Sequence, residues 1–240
     1  MNIRFEKKGK AIDSLKAWEE LGKPKKNSHW KEGRSAFLMA ELAIERKPEF
    51  AKRVSDLLAE CGIAEQDFVC EPEAAAGLGK GMCRGGARKH DLLMRGNDCV
   101  IGIEAKVSEL FDEEIGKRLI GKHQKSEKGN RSKRAKLLID FLTPGKTQNE
   151  VKGIGYQLFT AARGTMCAAL KHGMDKCVML VITFKGNVEK EKNYDANCEK
   201  NAKDFDDFLK ATGADGNGRI VRDISGKDIS CWIKHIDVTV

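Results

Sequence analysis

No stretch of this 240-residue chain approaches the roughly 18–20 consecutive apolar residues of a membrane span. The N-terminus, Met1-Asn2-Ile3-Arg4-Phe5-Glu6-Lys7-Lys8, lacks the apolar core of a signal peptide, so export is not expected. Eight cysteines are present, but no two form a CxxC pair, and several sit in apolar runs where cysteine behaves as a small hydrophobe. That spacing argues against a disulfide framework and against a zinc site, and favours a reduced, cytoplasmic protein. The glycine-rich stretch Gly77–Gly86 lacks the GxxxxGK[ST] spacing of a phosphate-binding loop. A strand follows it where a dinucleotide fingerprint needs a helix, so it reads as a connection. There is no internal repeat and no long linker.

What is present is charge, unevenly placed. The net charge is +8 with a pI near 9.0. Between Gly116 and Lys136 lie Lys117, Arg118, Lys122, Lys125, Lys128, Arg131, Lys133, Arg134 and Lys136, against one acid, Glu127. Such a block attracts polyanions, and nucleic acid is the usual partner. Of these, Lys117, Arg118, Lys122, Lys125, Arg131, Lys133 and Arg134 are the candidate contacts to a nucleic-acid backbone.

Periodicity places the elements. Ile12–Leu21 is amphipathic and stops at Gly22 and Pro24. Ser35 is positioned to cap a helix through about Glu45. Pro48 opens another that ends at Cys61-Gly62. Asp67–Glu73 reads as a strand. Arg131–Leu142 and Val151–Lys171 read as helices, Lys176–Phe184 as a buried central strand, Asn197–Ala211 as a helix and Ile229–Val240 as a closing strand. Helices flanking a mixed sheet give a single α/β (α+β) domain over residues 1–240.

The most informative segment is Lys89–Val107. Two apolar arms flank Arg95-Gly96-Asn97-Asp98, a strong hairpin signal. A two-residue loop at Gly96-Asn97 places Arg95 opposite Asp98 and Asp91 opposite Gly102. Alternation then puts Asp91, Gly102, Glu104 and Lys106 on one face, with His90 on the apolar one. The glycine facing Asp91 would leave room for a bound group. Two carboxylates and an ammonium converging on one face suit a Mg²⁺ (or Mn²⁺) site, since Mg²⁺ favours carboxylate, substrate phosphate and water. A cross-strand salt bridge would use the same residue types.

A D…ExK hairpin preceded by helices and followed by a helix resembles the PD-(D/E)XK phosphodiesterase superfamily, whose core runs helix, three antiparallel strands, helix, strand. Here that core would span about 35–184, with 185–240 as a C-terminal extension. Several members carry Gln or Tyr on the helix after ExK, and Tyr156-Gln157-Leu158 stands there. His29-Trp30-Lys31-Glu32-Gly33-Arg34, Ile103–Glu109 and Gly155–Leu158 are similar to one uncharacterised bacterial branch. The resemblance implies a restriction-endonuclease-like core. It implies Asp91, Glu104 and the Ala105 carbonyl as metal ligands, and Lys106 and Gln157 at the attacking water. It also implies an acid from a preceding helix, with Glu41 the candidate and Glu60 behind it; Glu109 could support the site. The expected activity is metal-dependent hydrolysis of DNA or RNA, with paired subunits where both strands are cut. The alternative is a catalytically silent module that binds nucleic acid or a protein partner.

Overall fold

β5 (Cys99–Lys106) is buried at every residue, which marks it as the centre of the sheet. The computed structural model describes residues 1–24, 30–79, 82, 87–120, 130–190 and 192–240. Around β5 lie β1 (Ile3–Lys7), β2 (Lys10–Ala11), β3 (Phe68–Ala76), β4 (Arg88–Arg95), β6 (Lys176–Lys185), β7 (Arg219–Asp223) and β8 (Asp228–Thr239). One eight-stranded sheet holds them in the order β2-β1-β3-β4-β5-β6-β8-β7. Strands β3, β4 and β5 form an antiparallel meander, and β6 returns parallel to β5. The parallel return needs a crossover, supplied by helices on one face. The fold is mixed α/β.

Helices cover both faces. α1 (Leu15–Gly22), α2 (Ser35–Ile44) and α3 (Lys47–Glu60) pack one core, in which Phe50, Leu57 and Leu58 meet Leu92, Met94, Ile101 and Ile103. α4 (Ile115–Ile120), α5 (Asn130–Leu142), α6 (Gln148–Val151), α7 (Tyr156–Lys171) and α8 (Tyr194–Thr212) lie along the rest of the chain. Leu138, Leu158, Phe159 and Phe208 from this group join Val100, Met179 and Ile233 in the second core. α7 is buried over most of its length, because it lies against β5 and β6 under α5. Among the described residues, no helix is long and apolar enough to cross a membrane.

Several expectations need correction. Two strands were not expected: β1 and β2 precede α1, and β1 pairs parallel to β3. The helix expected over 151–171 is two, α6 and α7, separated at 152–155. The strand expected to close the sheet, β8, lies inside it, because the short β7 takes the edge. Ser35 does not cap α2; its hydroxyl donates to Glu109 instead.

The hairpin register also differs. Arg95 pairs with Val100 and Leu93 with Gly102, so the turn lies at Asn97-Asp98. The cause is distant in sequence: Gln66 Oε1 accepts from the backbone N–H groups of Asn97 (2.7 Å) and Asp98 (2.8 Å). The shift is an even number of residues, so Glu104 keeps the face of Gly102, while Asp91 sits where the alternation breaks and also borders a small cleft with Trp18, Gly22 and Met39. His90 does not keep its expected face. The β3–β4 pairing skips one position, between Pro72–Leu92 and Ala74–His90, and at that break Glu73 adopts φ 49°. A non-glycine residue in that region marks local strain. Beyond the break Arg88 and His90 face α7, while Leu92 and Met94 face the other core.

Candidate functional site

Asp91, at the break in β4, Ala105 and Lys106 from β5, and Gln157 in the first turn of α7 line one cavity of about 600 Å³. Arg88, Lys89, Glu73 and Glu109 share its walls. Asp91 Oδ2 accepts from the Ala105 backbone N–H at 2.7 Å, which ties the end of β4 to β5 beyond their last paired residues. Gln157 joins the ExK residues: its Nε2 donates to Glu104 Oε2 at 2.7 Å, and its Oε1 accepts from Lys106 Nζ at 2.9 Å. The amide thus orients the carboxylate and the ammonium together.

Glu104 is fully buried. Its Oε1 is ion-paired with Arg88 and lies 3.3 Å from His90 Nδ1. Burial pushes its pKa up, but Arg88, His90 and Lys106 outweigh burial and hold the carboxyl below its usual value. Burial lowers the pKa of His90, against the pull of Glu104, so the imidazole is neutral at pH 7. Asp91 is raised to about 7, first by burial and then by the charge of Glu104, with Lys106, Arg88 and the Ala105 N–H opposing. Glu109 is held low: Lys106, the Val107 N–H and the Ser35 hydroxyl outweigh its burial.

The space opposite Gly102 is not open. A Cβ there would collide with Thr165 Oγ1 and lie 3.0 Å from His90 Cε1, so helix α7 and the imidazole occupy it. Glu41 is not among the residues lining the cavity. Ser35 and Ala36 at the start of α2 line it, and Glu41 lies about 8 Å further along the helix axis. Glu60 ends α3 beside Lys234. The acids that do reach the cavity besides Asp91 are Glu73, Glu109 and Asp112. Arg88 and Glu73 were missed because only the broken strand pairing brings them to the site. Strand alternation places Arg88 with His90 on the face away from Asp91, so no local signal flagged it.

The basic block is divided. Lys122 and Lys125 lie outside the described residues. Lys117 pairs with Glu114 at 3.4 Å. Arg118 pairs with Asp112 (2.7 Å) and Glu113 (3.1 Å) and stacks on Tyr156 at 3.8 Å. Arg131 reaches Glu113 at 3.5 Å. The acidic run 112–114, just outside the basic block in sequence, therefore neutralises part of it in space. Lys133 is exposed and Arg134 lines the cavity.

The oxygen donors fit a hard divalent cation in kind. Asp91 is half-buried at the cavity wall, and Glu104 Oε1 is buried without an aligned hydrogen bond among the described residues. They do not form a ready cage: among the described residues no group of three or more His, Cys, Asp or Glu side chains is arranged to hold a metal ion. The fold and cavity define a mixed α/β protein with a buried, charged hairpin site. A family model described as "Domain of unknown function (DUF6946)" matches residues 11–237, and the chain belongs to that family. No curated protein and no solved structure matches it.

Proposed function

We propose that this protein is a Mg²⁺- or Mn²⁺-dependent phosphodiesterase that hydrolyses the backbone of nucleic acid, DNA before RNA. The observation that carries this reading is the meeting of Asp91, Ala105, Lys106 and Gln157 on one cavity wall, with Glu104 buried directly behind and bonded to Gln157. The element order supports it: α3, the meander β3–β4–β5, then α7 and the parallel β6 follow the restriction-endonuclease-like core sequence. Asp91 and Glu104, with the Ala105 carbonyl, are the groups that would hold the metal. A bound metal would supply Lewis-acid activation of the phosphate and a lower pKa for water.

The protein's own residues have distinct tasks. Lys106, held by Gln157 and lying 5.4 Å over the Phe111 ring, offsets charge growing on the phosphate. Gln157 keeps Lys106 and Glu104 in register. Lys133 and Arg134 meet flanking backbone phosphates. The test is incubation with supercoiled plasmid and with single-stranded substrates in Mg²⁺ or Mn²⁺. Cleavage by the wild type, lost in Glu104→Ala and Lys106→Ala, is expected. Equal cleavage by the variants, or none with either metal, sinks the reading.

A second reading, a silent module that binds nucleic acid without cutting, is favoured by one observation: both oxygens of Glu104 already have protein partners. Such a module keeps its DNA affinity in EDTA.

A further inference from the structure

Glu104 has no free face, yet one side of it is poorly bonded. Oε2 is satisfied by Gln157 at 2.7 Å. Oε1 has the Arg88 charge beside it and the His90 ring at 3.3 Å, contacts that fall short of well-aligned hydrogen bonds. Arg88 Nε and Nη2, both His90 ring nitrogens and Glu104 Oε1 are all buried without a hydrogen-bond partner among the described residues. A buried ion pair with poor hydrogen bonding repays little of its desolvation cost. Arg88 is the strongest charge holding Glu104 ionised, so it occupies the place at Oε1 that a divalent cation could take.

We propose that Arg88 stands in for a divalent cation at Glu104, that metal uptake displaces the Arg88 side chain into the cavity, and that Arg88 thereby sets the metal affinity of the site. This rests on the phosphodiesterase reading given above. Three observations support it. Arg88 lines the cavity and its side chain is 16 % exposed, so it can leave Glu104 without opening either core. Its backbone is fixed by pairing with Ala76, so only the side chain needs to move. Lys106 cannot serve as the displaced member, because Gln157 holds it at 2.9 Å.

Charge counting gives the consequence. With Asp91 ionised, Asp91 and Glu104 balance Arg88 and Lys106, and the cluster is neutral. A divalent ion leaves an excess of two positive charges beside the cavity. That excess disfavours metal alone and favours metal together with a polyanion, whose phosphate gives the freed guanidinium a new partner. Metal and nucleic acid are therefore expected to bind cooperatively, each tightening the other by the same factor.

The experiment is a calorimetric titration of the full chain with Mn²⁺, comparing wild type, Arg88→Gln and Glu104→Gln. The proposal expects Arg88→Gln to bind Mn²⁺ at least about tenfold tighter, and Mn²⁺ to raise its melting temperature more than that of the wild type. Equal or weaker binding by Arg88→Gln, with the wild type binding normally, overturns the role of Arg88 and leaves the metal site standing. No uptake by either protein overturns the metal site and this proposal with it. Should Arg88→Gln fail to fold, the wild type decides by itself. Arg88, followed by peptide mapping, should react faster with phenylglyoxal when Mn²⁺ is present, and an unchanged or slower reaction contradicts the proposal.

Discussion

Asp91 and Glu104 are close enough that the charge on one raises the pKa of the other, and this makes the site's electrostatics measurable without any substrate. Asp91 is lifted from 3.8 to about 7, chiefly by burial and next by Glu104. Between those values the folded protein holds a proton that the unfolded chain has released. Stability contributed through Asp91 is therefore greatest at acidic pH and falls as pH rises from about 4 through about 7. Because solvent in the cavity screens the group, the loss is on the order of 2 kcal/mol. Asp91→Asn keeps an acceptor for the Ala105 N–H and removes the titration. Urea unfolding should find it more stable than wild type at pH 8, with the difference closing at pH 5. A constant difference across that range contradicts the assignment. At this scale the sequence was partly legible: strand alternation put Glu104 and Lys106 on one face, where both meet Gln157. It misplaced His90 and left Arg88 unseen, because the alternation inverts at Asp91, opposite the left-handed Glu73. Glu73 is an ordinary acid in sequence, and nothing local announces its backbone.

Among the elements, the hairpin and α7 carry the site, and their placement depends on bonds from far along the chain. Gln66 sets the turn between β4 and β5. Arg222, on β7, plays a comparable part for the helices. It donates to the carbonyls of Phe141 (3.0 Å) and Leu142 (2.9 Å) at the end of α5, and to Thr212 (2.6 Å) at the end of α8. Helix ends leave carbonyls without intrahelical partners, and here one guanidinium satisfies three. Arg222→Ala should cost about 2 kcal/mol in a urea melt, and a loss below about 0.5 kcal/mol would show that water replaces those bonds freely. Helix α5, the core strand β6 and most of α8 were legible from periodicity. The strands β1, β2 and β7 were not: they are only two to five residues long, too short for alternation to register, and their place is set by pairing with distant partners.

For the molecule as a whole, a charge of +8 suggests a polyanion partner, but much of the expected basic face is spoken for. Lys117, Arg118 and Arg131 are paired with residues of the 112–114 acidic run. Counting charges along the sequence could not show this, because the acids lie outside the basic block and fold back onto it. The salt dependence of DNA binding should reflect the difference. Lys133→Ala is expected to lower the slope of log affinity against log salt by about one, and Lys117→Ala by clearly less. Equal effects would mean that the ion pairs open on binding. The D…ExK site is the central claim, and the most direct measurement is the cleavage rate of a labelled oligonucleotide by Lys106→Ala, taken beside its affinity for the same strand. The account predicts a rate at least about 100-fold below wild type, with affinity changed by no more than about twofold. A variant that cuts as fast as wild type, or loses rate only in proportion to binding, contradicts it.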